Sequence, residues 1–302
     1  MNTISIQNPR ELLELLPSSD ISTMRLWRGQ GDATWNLVPS IFRDSARIWL
    51  NQHLNFSDEL LKQEGYQNAL PKAERSVIGF FILNADRTGI ALPNFNKNLM
   101  LHLYQSDIHY DDPFPQWPTE DDYEIIATAQ HYEHPTRMID WSTSPLIGLY
   151  FAVNGFLKEY AKRTEDPPTE YALWSLNTAV NTNLSGEDNR NDFIRSRIVR
   201  PVEIPYRENK YLRAQSGKFT LCTDTLAKSW DGTKDGIEKY FPEDTPDCRL
   251  TKYLLPADSI GSANRILENL NVSALQVFPG YRGVLQSLTE AKLYNRFIDE
   301  TR

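Results

Sequence analysis

The chain has 302 residues, of which 40% are hydrophobic and 24% charged, as expected of a soluble globular protein with a large core. Its 40 acidic and 32 basic residues give a net charge of −8, which disfavours a general nucleic-acid binder, because such proteins gain affinity by neutralising phosphates. The sequence has no run of about 18 apolar residues, no secretory leader and only two cysteines, so we expect a cytoplasmic protein without a membrane span, disulfide framework or zinc cluster.

The first part of the chain is predicted to be largely helical. The leucines of 9–16 predict a short amphipathic helix that ends at Pro17, and 24–30 predicts a strand that runs into a glycine turn. A mostly helical region follows at 42–70, and the apolar residues of 72–85 predict a buried helix.

The middle of the chain is predicted to contain a loop and two helices. Proline and aspartate are frequent in 105–122, which predicts the loop. The helices are predicted at 123–130 and at 145–157, where Pro145 fits the first turn because its missing N–H costs nothing there.

The second half is predicted to supply most of the sheet. Four strands are predicted, at 171–176, 197–206, 218–223 and 250–256. The acidic stretch 224–247 predicts a surface loop, 258–269 a helix, and 292–298 the last element. Helices that precede strands indicate an α+β fold, with helices packed on a mixed or antiparallel sheet. Because no flexible linker divides the sequence, we expect a single domain over 1–302.

Polar side chains are concentrated in 130–151, QHYEHPTRMIDWSTSPLIGLYF, beside an apolar run that must be buried. Burying polar groups is costly unless they are hydrogen-bonded, so this density indicates a buried polar network or a site. His131 can be a general base or a buried, hydrogen-bonded histidine. His134 lies three residues further on, but no other ligand is spaced to complete a metal site with the two histidines.

Two residues in the later part of this stretch, Arg137 and Trp141, have two interpretations each. Arg137 and Asp140, three residues apart, predict a buried ion pair that holds the segment rigid, although Arg137 can also contact a ligand. Trp141 can pack in the core or stack on an adenine or nicotinamide ring.

The hydroxyl run that precedes the predicted helix at 145–157 consists of Ser142, Thr143 and Ser144. These hydroxyls can cap the N–H groups of the first helical turn. The same N–H groups and the helix dipole can also hold an anion. Both roles are compatible, because one serine can cap the helix while another faces a ligand.

Arg28, Gly29 and Gln30 follow a predicted strand near the N-terminus. The planar fork of Arg28 can bind a phosphate bidentately, or it can pair with a carboxylate in a core network. Gly29 permits the close approach of a ligand or of another backbone.

Gln215 follows the basic stretch 195–213. Its amide does not take up a proton at working pH, but it can bind a ribose hydroxyl or orient a water molecule. The basic stretch itself is either a solvated face or a patch that contacts phosphates.

Four stretches in order resemble the FRG domain, a family named for an aromatic-Arg-Gly motif. They are the opening LWRGQGDATWNLVPSIFR (26–43), the central AQHYEHPTRMIDWSTSPLIGLYFAV (129–153), the Gln-x-Gly-x-Phe element RAQSGKFTL (213–221) and the ending at 255–288. Trp27 stands where the family usually has Phe or Tyr. The resemblance covers roughly residues 20–290.

The order of these motifs is also similar to that of ADP-ribosyltransferases of the Arg–Ser–Glu type, which implies a related fold and NAD binding. The resemblance implies that Arg28 binds NAD and that the 142–144 run is the second element. It places the catalytic element on the late strand at 213–221. Those enzymes carry a Glu there, whereas this chain offers Gln215 and Lys218.

Three functions therefore remain open. The first is an NAD-using, ADP-ribosyltransferase-like enzyme that modifies a protein or nucleic acid, as a bacterial toxin or antiphage effector. Its catalytic residues would be His131 and Gln215, and its NAD-binding residues Arg28, Gly29, Gln30, Arg137, Trp141, Ser142, Thr143 and Ser144. The second is a non-catalytic sensor or interaction module that holds a nucleotide or anion. The third is a nucleic-acid-acting enzyme that uses 195–213.

Overall fold

The computed structural model describes residues 1–14, 25–54, 59, 66–92, 117–163, 165–178, 198–207, 209–223, 236–241 and 249–301. Most of the predicted loops at 105–122 and 224–247 lie outside these residues. None of the described helices has the length and apolar character needed to cross a membrane.

Seven strands form one sheet within the described residues. They are β1 (Asn2–Ser5), β2 (Arg25–Gln30), β3 (Met138–Ser142), β4 (Glu170–Asn177), β5 (Val199–Val202), β6 (Gly217–Cys222) and β7 (Leu250–Pro256). Their spatial order is β1-β7-β4-β2-β3-β6-β5. The β1–β7 pair is parallel and every other pair is antiparallel, so the sheet is mixed.

Nine α-helices accompany the sheet in the same residues. They are α1 (Glu11–Glu14), α2 (Asp44–Leu54), α3 (Tyr66–Arg87), α4 (Tyr123–His131), α5 (Pro145–Lys162), α6 (Lys210–Ala214), α7 (Ile260–Asn269), α8 (Ala274–Val277) and α9 (Tyr281–Thr301). The predicted α+β class with a mixed sheet is confirmed.

The helices cover both faces of the sheet because its central strands are apolar on both sides. Leu26 and Trp174 pack on one face against residues of α2 and α3. Trp27 and Leu173, their neighbours in sequence, point the opposite way and pack against α5, α7 and α9. A third cluster joins α3 and α4 to β5 and β6. Buried on both faces, β2 and β4 lie at the centre of the described core.

Several predicted elements differ from the observed ones. The segment 138–142, for which no strand was predicted, is β3, the neighbour of the central strand β2. The strand predicted at 197–206 covers only Val199–Val202, and the last element begins at Tyr281 rather than at 292. Strand β1 and the short helix α6 were not predicted, and α6 separates two cavities.

Candidate functional site

The sheet opens between its two halves at β2 and β3. Strand β2 pairs with β4 over six positions but with β3 at only one, Trp27 opposite Ser142. Arg28 spans the gap beyond that pair. Its Nη1 donates a hydrogen bond to the Asp140 carbonyl oxygen at 2.8 Å and lies 2.6 Å from Asp140 Oδ1. One side chain therefore joins both the backbone and the carboxylate of the facing strand.

This opening is a cavity of about 230 Å³, termed the strand cleft. It is lined by Trp27, Arg28, Gly29, Gln30, Gly31, Trp35, Arg43, Asp140, Trp141, Ser142, Phe151, Gly155, Leu212, Gln215, Gly217, Lys218 and Phe219. Its charged lining residues are three cations, Arg28, Arg43 and Lys218, and one carboxylate, Asp140. The excess of positive charge suits the cleft to an anion.

Asp140 is ionised in this setting. Desolvation by the cleft walls works to raise its pKa, but the charge and hydrogen bond of Arg28, together with the charge of Arg43, lower that pKa below its usual value. Gln130 Nε2 also donates to Asp140 Oδ1 at 3.2 Å. The side chain of Asp140 is 57% exposed and that of Arg28 only 16%. The carboxylate is thus held on one side and open on the other.

The other two cations reach the cleft from elements outside β2 and β3. Arg43 follows a 3-10 turn, and its Nε donates to the Val38 carbonyl oxygen at 2.9 Å. Burial and the charge of Arg28 lower the pKa of Arg43 to about 10, so it stays charged at neutral pH. Lys218 stands on β6, and its Nζ lies 3.3 Å from Glu203 Oε1, which is mostly exposed.

Gly29 and Gln30 line the strand cleft, but their contacts are with the protein itself. A Cβ at Gly29 would overlap the Gly148 carbonyl oxygen and the Ala152 nitrogen, so Gly29 permits the close approach of α5 to β2. The Gln30 amide donates to the Asn36 carbonyl oxygen at 3.1 Å and accepts from Trp174 Nε1 at 2.7 Å. These two residues build the wall of the cleft.

The hydroxyl run 142–144 caps helix α5, which is the first of the two roles predicted for it. Ser144 is the N-cap of α5 and accepts a hydrogen bond from Ile147 N at 3.4 Å. Ser142 Oγ donates to the Gln215 carbonyl oxygen at 2.8 Å, which ties β3 to the turn before β6. Thr143 and Ser144 do not line the strand cleft, whereas Ser142 and Gln215 do.

The family model of the FRG domain matches residues 24–161. The chain contains an FRG domain. No curated protein and no solved structure matches the chain significantly. The matched residues include β2, β3 and all but the last residue of α5, and with them Arg28, Arg43 and Asp140. Lys218 and Gln215 reach the same cleft from the part of the chain that follows the match.

The predicted ion pair between Arg137 and Asp140 is wrong for this FRG domain. Arg137 binds Glu74 instead, with Nε 2.6 Å from Oε2 and Nη2 2.8 Å from Oε1, and both side chains are buried. Residues three apart on an extended strand point to opposite faces, so Asp140 cannot share the side of Arg137. Arg137 holds α3 to the sheet and is absent from the strand cleft.

His131 also lies away from the strand cleft. It stands at the end of α4, with its ring centroid 4.2 Å from that of Tyr211 on α6. Burial and the nearby charge of Arg282 lower its pKa, so the imidazole is neutral at pH 7. A second, larger cavity contains His131 and Tyr211, while Leu212 and Gln215 face the strand cleft. Helix α6 therefore separates the two catalytic residues predicted from the sequence.

Asp140, Arg43 and Trp35 are cleft residues of the FRG domain that sequence reasoning did not select as ligand contacts. Asp140 was assigned to the wrong partner. Arg43 and Trp35 both lie in the stretch 26–43 that resembles the family. That resemblance was the one signal in the sequence that could have pointed to them. Trp141 also lines the cleft but is buried, and its Nε1 donates to Thr220 Oγ1 at 2.9 Å. Among the described residues, no group of three His, Cys, Asp or Glu is arranged to hold a metal ion.

Proposed function

We propose that the strand cleft binds a nucleotide of the NAD class and that the protein is an ADP-ribosyltransferase-like enzyme. The observation that carries this proposal is the convergence of Arg28, Arg43, Lys218 and Asp140 on one opening of the sheet. These residues come from stretches of sequence far apart. Three cations around one ionised carboxylate suit a ligand that is anionic at its phosphates and gains positive charge where it reacts.

The cations divide into two roles. Arg28 is engaged with Asp140 and positions that carboxylate. Arg43 and Lys218 also line the cleft and would hold the diphosphate. The Trp35 ring, which has the Arg163 guanidinium 5.7 Å from its centroid, is partly exposed and offers a stacking surface at the same cavity. A volume of about 230 Å³ suits one sugar-phosphate unit, so the remainder of the dinucleotide would lie outside the cleft.

The chemistry proposed for the protein residues is electrostatic. When bound, NAD supplies a glycosidic bond whose cleavage leaves positive charge on the ribose. Asp140 remains ionised and is partly open, so it can face that charge. Gln215 lines the same cavity and can hold a ribose hydroxyl through its amide. His131, across α6, stays a prediction for the base that activates the acceptor. The acceptor is proposed to be a protein or nucleic acid, in a bacterial toxin or antiphage effector.

The decisive test is an incubation of the full chain with NAD that carries a label on the adenylate portion. We expect nicotinamide release and transfer of label to a component of a cell lysate. Asp140→Asn should abolish the release while keeping the shape of the side chain. Arg43→Gln should raise the NAD concentration needed for half-maximal release. Arg296→Gln is the matched control, because Arg296 is exposed on α9 and its contacts, with the Glu300 carboxylate and the Ala161 carbonyl oxygen, lie outside the strand cleft.

A non-catalytic nucleotide-binding module is the second candidate function. It is favoured by the composition of β6, which contains no Glu between Gly217 and Cys222. Thermal stabilisation by NAD or ADP-ribose without nicotinamide release would support the module over the enzyme. If neither ligand shifts the melting temperature, and no nicotinamide appears while an authentic transferase works in parallel, both candidate functions are wrong.

A further inference from the structure

The second cavity, on the other side of α6, has a volume of about 1130 Å³ and is termed the aromatic pocket. Five Phe or Tyr rings line it: Phe80, Phe81, Tyr132, Tyr206 and Tyr211. Three of these are exposed, Phe80 at 47%, Tyr132 at 60% and Tyr206 at 38%. Exposed aromatic residues gathered around one concave surface mark a binding site rather than a core.

The aromatic rings are arranged in pairs rather than scattered. Phe81 and Tyr132 are stacked with centroids 6.2 Å apart, and His131 lies 4.2 Å from Tyr211. His134 meets Phe81 edge to face at 5.2 Å. Planar faces in this arrangement suit a planar ligand, because every nucleobase offers a π-face for stacking.

Two histidines that line the pocket each have one buried ring nitrogen whose hydrogen-bonding capacity is unused within the described part of the chain. His131 Nε2 and His134 Nδ1 are buried and have no hydrogen-bond partner among the described residues. An unpaired buried polar atom is destabilising, so a ligand that donates or accepts a hydrogen bond would be favoured here. Both rings are neutral at pH 7, because burial lowers the pKa of each histidine.

The rim of the aromatic pocket is basic although the chain as a whole is acidic. Arg207, Lys210 and Arg213 line it, and Glu124 is the single acidic residue among its described lining side chains. Lys210 Nζ sits 5.4 Å from the centroid of the Tyr211 ring. A cation beside an aromatic face can contact a phosphate while the base stacks on the ring.

We infer that the aromatic pocket binds a nucleobase together with its phosphate, either as a free nucleotide or as part of a single-stranded nucleic acid. The stacking faces, the unpaired ring nitrogens and the basic rim each match one part of that ligand. The binding does not depend on the proposed function.

The test measures fluorescence anisotropy of a labelled ten-nucleotide oligothymidylate with the full chain, and competition by AMP. Tyr132→Ala should weaken binding between about 5-fold and about 150-fold, the range for one lost base stack. Tyr281→Ala is the matched control, because Tyr281 is 89% exposed and lies outside the pocket. Lys210→Ala and Arg213→Ala should each reduce the salt slope of oligonucleotide binding by about 1.

The two sources of the ligand give different results. Tight oligonucleotide binding that AMP displaces only weakly identifies nucleic acid, whereas equal affinity for AMP identifies a free nucleotide. The inference is overturned if neither probe binds, or if Tyr281→Ala weakens binding as much as Tyr132→Ala. Nicotinamide release without added nucleic acid reports on the strand cleft alone, so failure of the proposed enzyme activity remains distinguishable from failure of this site.

Discussion

The Arg28 guanidinium donates to the Asp140 backbone carbonyl oxygen and pairs with the Asp140 carboxylate, and so closes a sheet whose halves otherwise meet at a single residue pair. The same contact leaves the carboxylate ionised and open to the strand cleft. The residue that stabilises the opening therefore also prepares the group that the proposed chemistry needs.

Replacement of Arg28 should accordingly cost stability. Arg28→Ala removes the donor to the carbonyl oxygen and the partner of the carboxylate, and hydrogen bonds to charged groups contribute about 1.5–3 kcal/mol each. Because the Asp140 carboxylate is more than half exposed, we expect a loss near the lower end of that range. Asp140→Asn keeps the backbone acceptor and should lose less. Urea denaturation measures both, and a larger loss for Asp140→Asn would contradict the role given to the backbone bond.

The close contact of β2 with α5 gives a second prediction. Gly29→Ala places a methyl group onto the Gly148 carbonyl oxygen and the Ala152 nitrogen, which are backbone atoms that cannot rotate away. We expect destabilisation of about 1–3 kcal/mol or more, the range for overpacking. The control is Gly261→Ala in α7, where the nearest atom to the new methyl group is Tyr294 Oη at 3.8 Å.

The two glycine variants should move in opposite directions. Alanine is favoured over glycine in helices by up to about 1 kcal/mol, so Gly261→Ala should leave the free energy of unfolding unchanged or raise it. The urea concentrations at the unfolding midpoints of the two variants measure this difference, provided that the dependence of the free energy of unfolding on urea has the same slope in both. A Gly29→Ala protein as stable as wild type would show that β2 and α5 do not pack as closely as described.

The fold class and part of the site followed from the sequence because their signals are local. Alternating and helical apolar patterns predicted β2, β4, β6, α4 and α5 within a few residues. The resemblance of 26–43, 129–153 and 213–221 to family motifs brought Arg28, Ser142 and Gln215 into one hypothesis, and all three line the strand cleft.

The missed features depend on contacts between distant residues. Arg137 binds Glu74, which is 63 residues away in the sequence, and Arg28 binds Asp140, which is 112 residues away. No local pattern reports such partners, and the spacing of Arg137 and Asp140 suggested a false one. His131 was grouped with Gln215 because the short helix α6, which separates them, has only five residues and gives no periodic signal.

The buried pair of Arg137 and Glu74 gives a third prediction. Arg137→Met leaves the Glu74 carboxylate buried without its cation, and such losses cost about 3–5 kcal/mol. The double variant Arg137→Met with Glu74→Leu removes both charges and should recover a large part of that loss. A double-mutant cycle in urea measures the coupling. Additive losses would mean that the two side chains do not act as a pair.

The two histidines of the aromatic pocket predict how stability depends on pH. Burial lowers the pKa of His131, with a contribution from the charge of Arg282, and burial lowers the pKa of His134 beside Phe81 and Trp49. Once the pH falls below the ordinary histidine value of 6.5, the unfolded chain therefore binds more protons than the folded chain. Protonation then favours unfolding.

Stability should consequently decline as the pH falls from 7 towards 5, and the double variant His131→Gln with His134→Gln should show a flatter decline. The Asp140 carboxylate does not change the slope of stability between pH 7 and 5, because its pKa lies below the ordinary 3.8. Its contribution to stability is lost only at more acidic pH. Urea denaturation at half-unit steps of pH supplies the slopes. Equal slopes for wild type and the double variant would mean that the acid-sensitive groups lie elsewhere in the protein. In that case the two histidines would have the same pKa in the folded and unfolded chain and would contribute nothing to the slope.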